Sequence, residues 1–174
     1  NNAELDAYFV HDRTVRESGH DTSYRLEGIC ANLLPVELNS MLYKYETDFA
    51  ELIQLYFNDS FTIDTKMYNS QFWLEKASKR KVLMNKFLWN NSQSCFYDYN
   101  FKTKKQNHFL AATCFFPLWA KIATQEQADN MVKKNLYNNC FFMTYFFKSS
   151  AYLFINAQVE VSDENTEFNP CSSI

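Results

Sequence analysis

The stretch "PVELNSMLYKYETDFAELIQLYF", residues 35–57, sets the fold class. Its apolar residues Leu38, Met41, Leu42, Tyr45, Phe49, Leu52, Ile53 and Tyr56 recur in steps of three and four, which is one face of an amphipathic helix. Pro35 stands at the entrance, where its fixed φ and missing N–H do least harm. Downstream, "SQFWLEKASKRKVLMNKFL" (70–88) repeats the pattern through Trp73, Ala77, Met84, Phe87 and Leu88, with Ser70 as a good N-cap. Most of its charges, including the run at 79–81, fall on the outer side and read as a solvated face.

Beyond the second helix the period breaks. Asn90, Asn91, Ser92 and Ser94 read as a turn, and "FYDYN" (96–100) as a short extended piece carrying Asp98. Asp98, between two tyrosines, reads as a structural acid bonded to a turn in preference to a catalyst. "FLAATCFFPLWAKIA" (109–123) reads as helical around Pro117. In "TQEQADNMVKKNL" (124–136), Thr124 and Gln127 have capping-box spacing, and Ala128, Met131, Val132 and Leu136 share a side. Residues 137–155 are dense in Phe and Tyr without a helical period, and a polar tail follows. The segment is too short and too interrupted for a membrane span. With no alternation of any length, the expected class is all-α.

Composition points the same way. The 174 residues, 47% hydrophobic, suffice for a domain core, and 18% are aromatic. Only two glycines and three prolines are present, which disfavours turn-rich β folds and excludes a Gly-rich nucleotide loop. A net charge of −3 gives no basic footprint for nucleic acid. Five cysteines form an odd set without CxxC spacing, so reduced, cytosolic thiols fit better than disulfides or zinc. His11, His20 and His108 have no ligand spacing, and no metal or other cofactor is expected. The N-terminus does not read as a signal peptide.

The chemistry-bearing stretch is "RESGHDTSYR" (16–25). Glu17 and Asp21 are four apart, near Gly19. Glycosidic hydrolysis uses two carboxyl groups, but two acids this close in sequence rarely straddle a scissile bond. Taken alone, the stretch reads first as a salt-bridged turn in which Arg16 and Arg25 neutralise the acids.

The same residues resemble the acid motif of the trehalase family, ESGWDxSxRW, and in its fungal neutral branch ESGHDTTYR. The likeness extends through "ELDAYFVHDRTVRESGHDTSYRLEGICANL", "PVELNSMLYKYETDFAELI", "FWLEKASKRKVLMNKFLWNN", "FYDYN" and "PLWAKIATQEQADNMV", in the family's order. It covers about Glu4 to Lys134. The resemblance implies an (α/α)6 barrel, here partial, and inverting hydrolysis of α,α-trehalose to two glucose molecules without a cofactor, in the cytoplasm. Asp21 then matches the general acid. Gly19 matches a position whose backbone lies against substrate, and Ser18 is its neighbour at the substrate. The helix bearing Leu38 and Asn39 belongs to the inner ring.

There are departures. Glu37 replaces a usual Asp, and Ser94 and Cys95 stand where Gly and Phe are common, removing a glycine suited to positive φ. After Lys134 the resemblance stops, so residues 1–134 read as part of a catalytic domain and 135–174 as a divergent aromatic segment and tail. The family's PGGRFxExYxWDxY and QWDxPxGW signatures are absent. Glu160, Asp163 and Glu164 sit in no context matching the family's base. The expectation is therefore a truncated form, inactive alone because the acid lacks its base, with exposed inner-face apolar residues. The alternative is a non-catalytic helical remnant or interaction fragment.

Overall fold

The computed structural model describes residues 2–20 and 25–137. These are mostly helical. Helix α1 (Ala3–Ser18) is capped by Asn2, whose side chain accepts from the Glu4 and Leu5 amides. Next come α2 (Val36–Tyr56) and α3 (Ser70–Phe87), which pack against each other. The α3 cap is Asn69, accepting from the Phe72 amide at 3.0 Å, so the cap lies one residue before the expected Ser70. Ser70 instead donates its amide to Asp59 at 2.8 Å, and its side chain first and this amide second hold the exposed Asp59 carboxyl below its usual range.

The predominantly helical class is as expected, with two refinements. Beside the helices, β1 (Leu33–Leu34), β2 (Phe61–Ile63), β3 (Lys66–Tyr68), β4 (Trp89–Asn90), β5 (Cys95–Phe96), β6 (Asp98–Asn100) and β7 (Lys105–Asn107) form three small antiparallel sheets. Strands this short cannot display alternation. Their turns also dispense with glycine, because Asp64, Thr65, Ser94 and Lys104 all take positive φ. Glycine scarcity therefore reports the length of the strands and not their absence.

Secondly, residues 109–123 do not form one helix. A 3-10 turn (Ala112–Phe115) leads into the single-turn α4 (Phe116–Trp119), with Pro117 in its first turn. Proline lacks the N–H that a helix interior needs, so it starts this helix instead of lying within it. Helix α5 (Gln125–Met131) carries the expected capping box between Thr124 and Gln127 and runs into a π-helical stretch, Val132–Tyr137.

The Asn90–Ser94 turn joins β4 to β5 as read from sequence, and Ser94 sits at φ +50°. A side chain in the left-handed region costs more than glycine there. Ser94→Gly should raise stability by about 0.5–1 kcal/mol in urea titration, the flexibility of glycine offsetting part of the relief.

The main core joins Val36, Met84, Leu88, Phe96, Leu118, Ile122 and Met131, so α3, the β4–β5 hairpin and the α4–α5 region pack around the start of α2. A smaller cluster of Leu26, Cys30 and Leu33 lies under the segment after α1. The orientation of α2 is unusual. Its buried residues are Val36, Glu37, Ser40, Glu46, Ala50 and Ile53. Leu38, Tyr45, Phe49, Leu52 and Tyr56, members of the sequence-predicted stripe, are exposed by 44–73%. At 100° per residue the two sets lie on opposite sides of the helix. The apolar face points outward and a partly polar face points in.

Candidate active site

The motif 16–25 straddles the end of α1. Ser18 donates its hydroxyl back to the Val15 carbonyl at 2.6 Å and accepts from the His20 amide at 3.2 Å. Gly19 then takes φ +74°, and its amide bonds the Arg16 carbonyl at 3.3 Å, closing the helix. A β-carbon built on Gly19 meets nothing within 4 Å, so within this structure it is the left-handed backbone that calls for glycine. Asp21, with Thr22, Ser23 and Tyr24, lies outside the described residues.

Glu17 and Arg16 do not pair in the way the spacing implied. Glu17 is exposed and accepts from Arg13 at 2.8 Å, while Arg16 pairs with Asp12 at 3.0 Å, both i,i+4 on the α1 surface. Surface pairs of this kind contribute little. Arg25 reaches carboxylates outside the motif. Its Nη2 donates to both oxygens of Glu37, at 2.7 and 2.8 Å, and its Nε donates to Asp98 Oδ2 at 2.6 Å. Asp98 Oδ1 also accepts the Val36 amide at 3.0 Å. His20 adds its Nε2 to Glu37 Oε1 at 3.1 Å.

Arg25, Glu37 and Asp98 are each no more than 5% exposed. The fold explains why they meet. Strand β1 immediately precedes α2 and pairs with β6, Leu33 opposite Asn100 and Leu34 opposite Tyr99. That register brings Asp98, the first residue of β6, against the first turn of α2. There it accepts an otherwise unpartnered helix amide and answers the positive end of the helix dipole. Asn107 on β7 donates to the Arg25 carbonyl at 3.2 Å and fixes that backbone too.

Burial is the largest influence on both members of the central pair. It lifts Asp98 above the usual carboxylate range, against the opposing pull of the Arg25 hydrogen bond and charge and of the Val36 amide. For Arg25 burial works to lower the pKa, but the hydrogen bonds and charges of Asp98 and Glu37 together outweigh it, and the guanidinium is held charged.

The residues flanking 21–24, His20 on one side and Arg25 on the other, are thus tied to the same carboxylate, Glu37. The sequence reading of Asp98 as a structural acid agrees with this arrangement. Sequence reasoning did not find Glu37 and Asp98 as partners of Arg25. Asp98 lies 73 positions from it, and no local spacing encodes that contact. A second ionic group joins α2 to α3: Arg80 donates to Glu46 at 2.8 and 3.0 Å and to Asn39 at 2.9 Å. Beside it, a cleft of about 330 Å³ is lined by Leu34, Asn39, Glu46, Arg80, Leu83 and Phe87, among others.

Among the described residues no group of three or more His, Cys, Asp and Glu could hold a metal ion, and no helix is long and apolar enough to cross a membrane. His11 accepts from the Ala31 amide at 3.2 Å, and the His108 ring lies 5.2 Å from that of Tyr97. Trp89 packs on Phe96 at 4.9 Å, and Trp73 is half-buried with its Nε1 lacking a hydrogen-bond partner among the described residues.

The family model described as Trehalase matches residues 1–150. The chain is 45% identical over 144 residues to the cytosolic neutral trehalase of Beauveria bassiana, covering 76% of this chain and 19% of that one. It is 46% identical over 135 residues to the cytosolic neutral trehalase of Saccharomyces cerevisiae, covering 76% and 18%. The chain therefore spans about a fifth of the length of the curated relatives it matches. Among solved structures, a neutral trehalase from Saccharomyces cerevisiae aligns with a TM-score of 0.75 at 45% identity, over 78% of this chain and 25% of that one. A GH63 mannosylglycerate hydrolase from Thermus thermophilus aligns at 14% identity with a TM-score of 0.55, over 78% of this chain and 30% of its own, a likeness of fold alone.

Proposed function

The chain belongs to the trehalase family, and from that premise we propose that it carries the general-acid side of a glycosidase site for α,α-trehalose. Asp21 is the acid, holding a proton near neutral pH and passing it to the glycosidic oxygen as the bond to glucose breaks. Gly19 and Ser18 lie at the substrate beside it. The reaction inverts the anomeric centre and needs no cofactor. The fold is part of an (α/α)6 barrel, with 1–134 the catalytic-domain portion and 135–174 a divergent segment, of which the family model still reaches 135–150. The relatives named cytosolic support a cytoplasmic location. We assign no nucleic-acid or membrane partner.

The observation that carries this reading is the string ESGHDTSYR between α1 and α2, with both flanks of its central residues anchored on buried Glu37. An inverting site also needs a base about 6.5–9.5 Å from the acid, across the sugar. No carboxylate in the sequence after Lys134 has the context of that base, so residues 1–174 hydrolyse no trehalose by themselves.

Two measurements test the two halves of the proposal. Incubated with trehalose, the purified chain should release no glucose above background; robust release that disappears in Asp21→Asn would overturn the missing base. Grafted in place of the matching stretch of an intact neutral trehalase, residues 4–134 should support hydrolysis. Asp21→Asn in that graft should then lower kcat by about 10²–10⁴. A graft indifferent to Asp21 would overturn its role.

The second reading, a non-catalytic interaction fragment, is favoured by one feature, the outward apolar face of α2.

A further inference from the structure

Resting on the assignment of Asp21 as the acid, we propose that Glu37 is its positioning residue. The Glu37 carboxylate clasps the chain on both sides of 21–24 and so fixes the reach of the group that must meet the glycosidic oxygen. One oxygen carries the double grip. Glu37 Oε1 accepts from Arg25 Nη2 at 2.7 Å and lies 3.1 Å from His20 Nε2, while Oε2 accepts from the same Arg25 nitrogen at 2.8 Å. His20 and Arg25 are the residues immediately before and after 21–24. A short stretch whose two neighbours are tied to one atom has little conformational freedom left to lose when substrate binds. General-acid transfer depends on such pre-arrangement, because a misplacement of about 1 Å costs on the order of a hundredfold in rate.

The clasp is itself held. Glu37 is 5% exposed and lies in the first turn of α2, where the helix dipole favours a carboxylate. The strand before it, β1, is pinned to β6. His20 is fixed through its backbone as well, its amide donating to Ser18 Oγ at 3.2 Å just past the left-handed turn at Gly19.

Stability alone does not call for Glu37. Asp98 already pairs with the Arg25 guanidinium at 2.6 Å, and a second buried carboxylate carries a desolvation cost that an apolar side chain of similar volume avoids. What Glu37 adds to that pair is the contact with His20. All three members fall within residues 20–37, so the clasp is complete inside this chain whatever packs on its outer faces.

The test uses an intact neutral trehalase carrying residues 4–134 of this chain, assayed on trehalose and on α-D-glucosyl fluoride. Fluoride departs without a proton from the enzyme, so a residue that acts through the acid matters for the first substrate and not for the second. His20→Phe keeps a ring and removes the imidazole nitrogen, at a side chain 34% exposed. Glu37→Gln keeps the length and removes the charge. Each should lower kcat on trehalose by about tenfold with KM little changed, and kcat on the fluoride by less than about twofold. His20→Gln, whose amide can again donate toward Glu37, should recover much of the loss. Should Asp21→Asn spare trehalose hydrolysis, the assignment of the acid fails. Should Asp21→Asn abolish it while His20→Phe and Glu37→Gln leave it intact, the acid stands and the clasp falls. Equal losses on both substrates would mark a general loosening and overturn the clasp too. In the 174-residue chain by itself, amide exchange of the peptide 19–26 should quicken by at least about threefold in both variants, while that of α3 stays unchanged. Unaltered exchange at 19–26 would overturn the proposal whether or not the graft is active.

Discussion

Arg25→Met should cost about 3–5 kcal/mol of stability, because it leaves two buried carboxylates without their cation. Arg25, Glu37 and Asp98 are at most 5% exposed, and Arg25 makes four hydrogen bonds to the two acids. A loss of this size is a large share of the ~5–15 kcal/mol that holds a domain together. It should appear as a lower urea midpoint at pH 7, and its pH dependence identifies the cause. Asp98 already binds its proton more tightly in the folded chain than its ordinary value allows, burial being the larger cause. A group raised in this way adds stability below the unfolded pKa, and that stability is lost as pH rises through the folded value. Without Arg25 the carboxyl rises further. The variant should therefore regain part of its deficit relative to the unaltered chain when titrated at pH 4. Adding Asp98→Asn should recover part of it at pH 7, since removing a buried charge costs less than stranding one. An Arg25→Met chain with an unchanged midpoint would show that the cluster contributes nothing net.

The cluster also marks the limit of what the residues disclose in order. Helices α2 and α3 were legible because apolar spacing is local, and the Thr124–Gln127 box because both partners lie within one turn. The spacing of α2 shows that an apolar side exists but not which side packs. Arg25 and Arg80, reached through tertiary contacts, reverse the usual answer by satisfying Glu37 and Glu46 inside. Helix α1 escaped notice for a related reason. It has no fully buried residue among Ala3–Ser18, and its order comes from the Asn2 cap, from charges that pair along its own surface, and from the contacts of Val15 and His11 with the segment after it. At the site, Gly19 was legible as a glycine requirement, and its backbone φ of +74° is one physical reason for it. Asp21 is identified by family motif alone.

Phe96→Ala should cost about 3–5 kcal/mol, the usual toll for deleting a ring from a packed core. Phe96 is 1% exposed, the largest of the fully buried side chains described, and it packs on Trp89 within the cluster joining Met84, Leu118, Ile122 and Met131. Phe101→Ala, at a ring 44% exposed, is the matched control and should cost far less. The more informative quantity is the coupling with Arg25→Met. Phe96 ends β5, and Asp98 opens β6 two residues later, so one extended segment is gripped by the core at one end and by the guanidinium at the other. If that segment moves as a unit, releasing either end loosens the other. The double variant should then lose less than the sum of the singles by 0.5–3 kcal/mol, against the ~0.3–0.5 kcal/mol expected of independent sites. Strict additivity would mean that the apolar core and the ionic anchor beside 21–24 are held separately. In that case core substitutions would leave the geometry of the Arg25 anchor untouched.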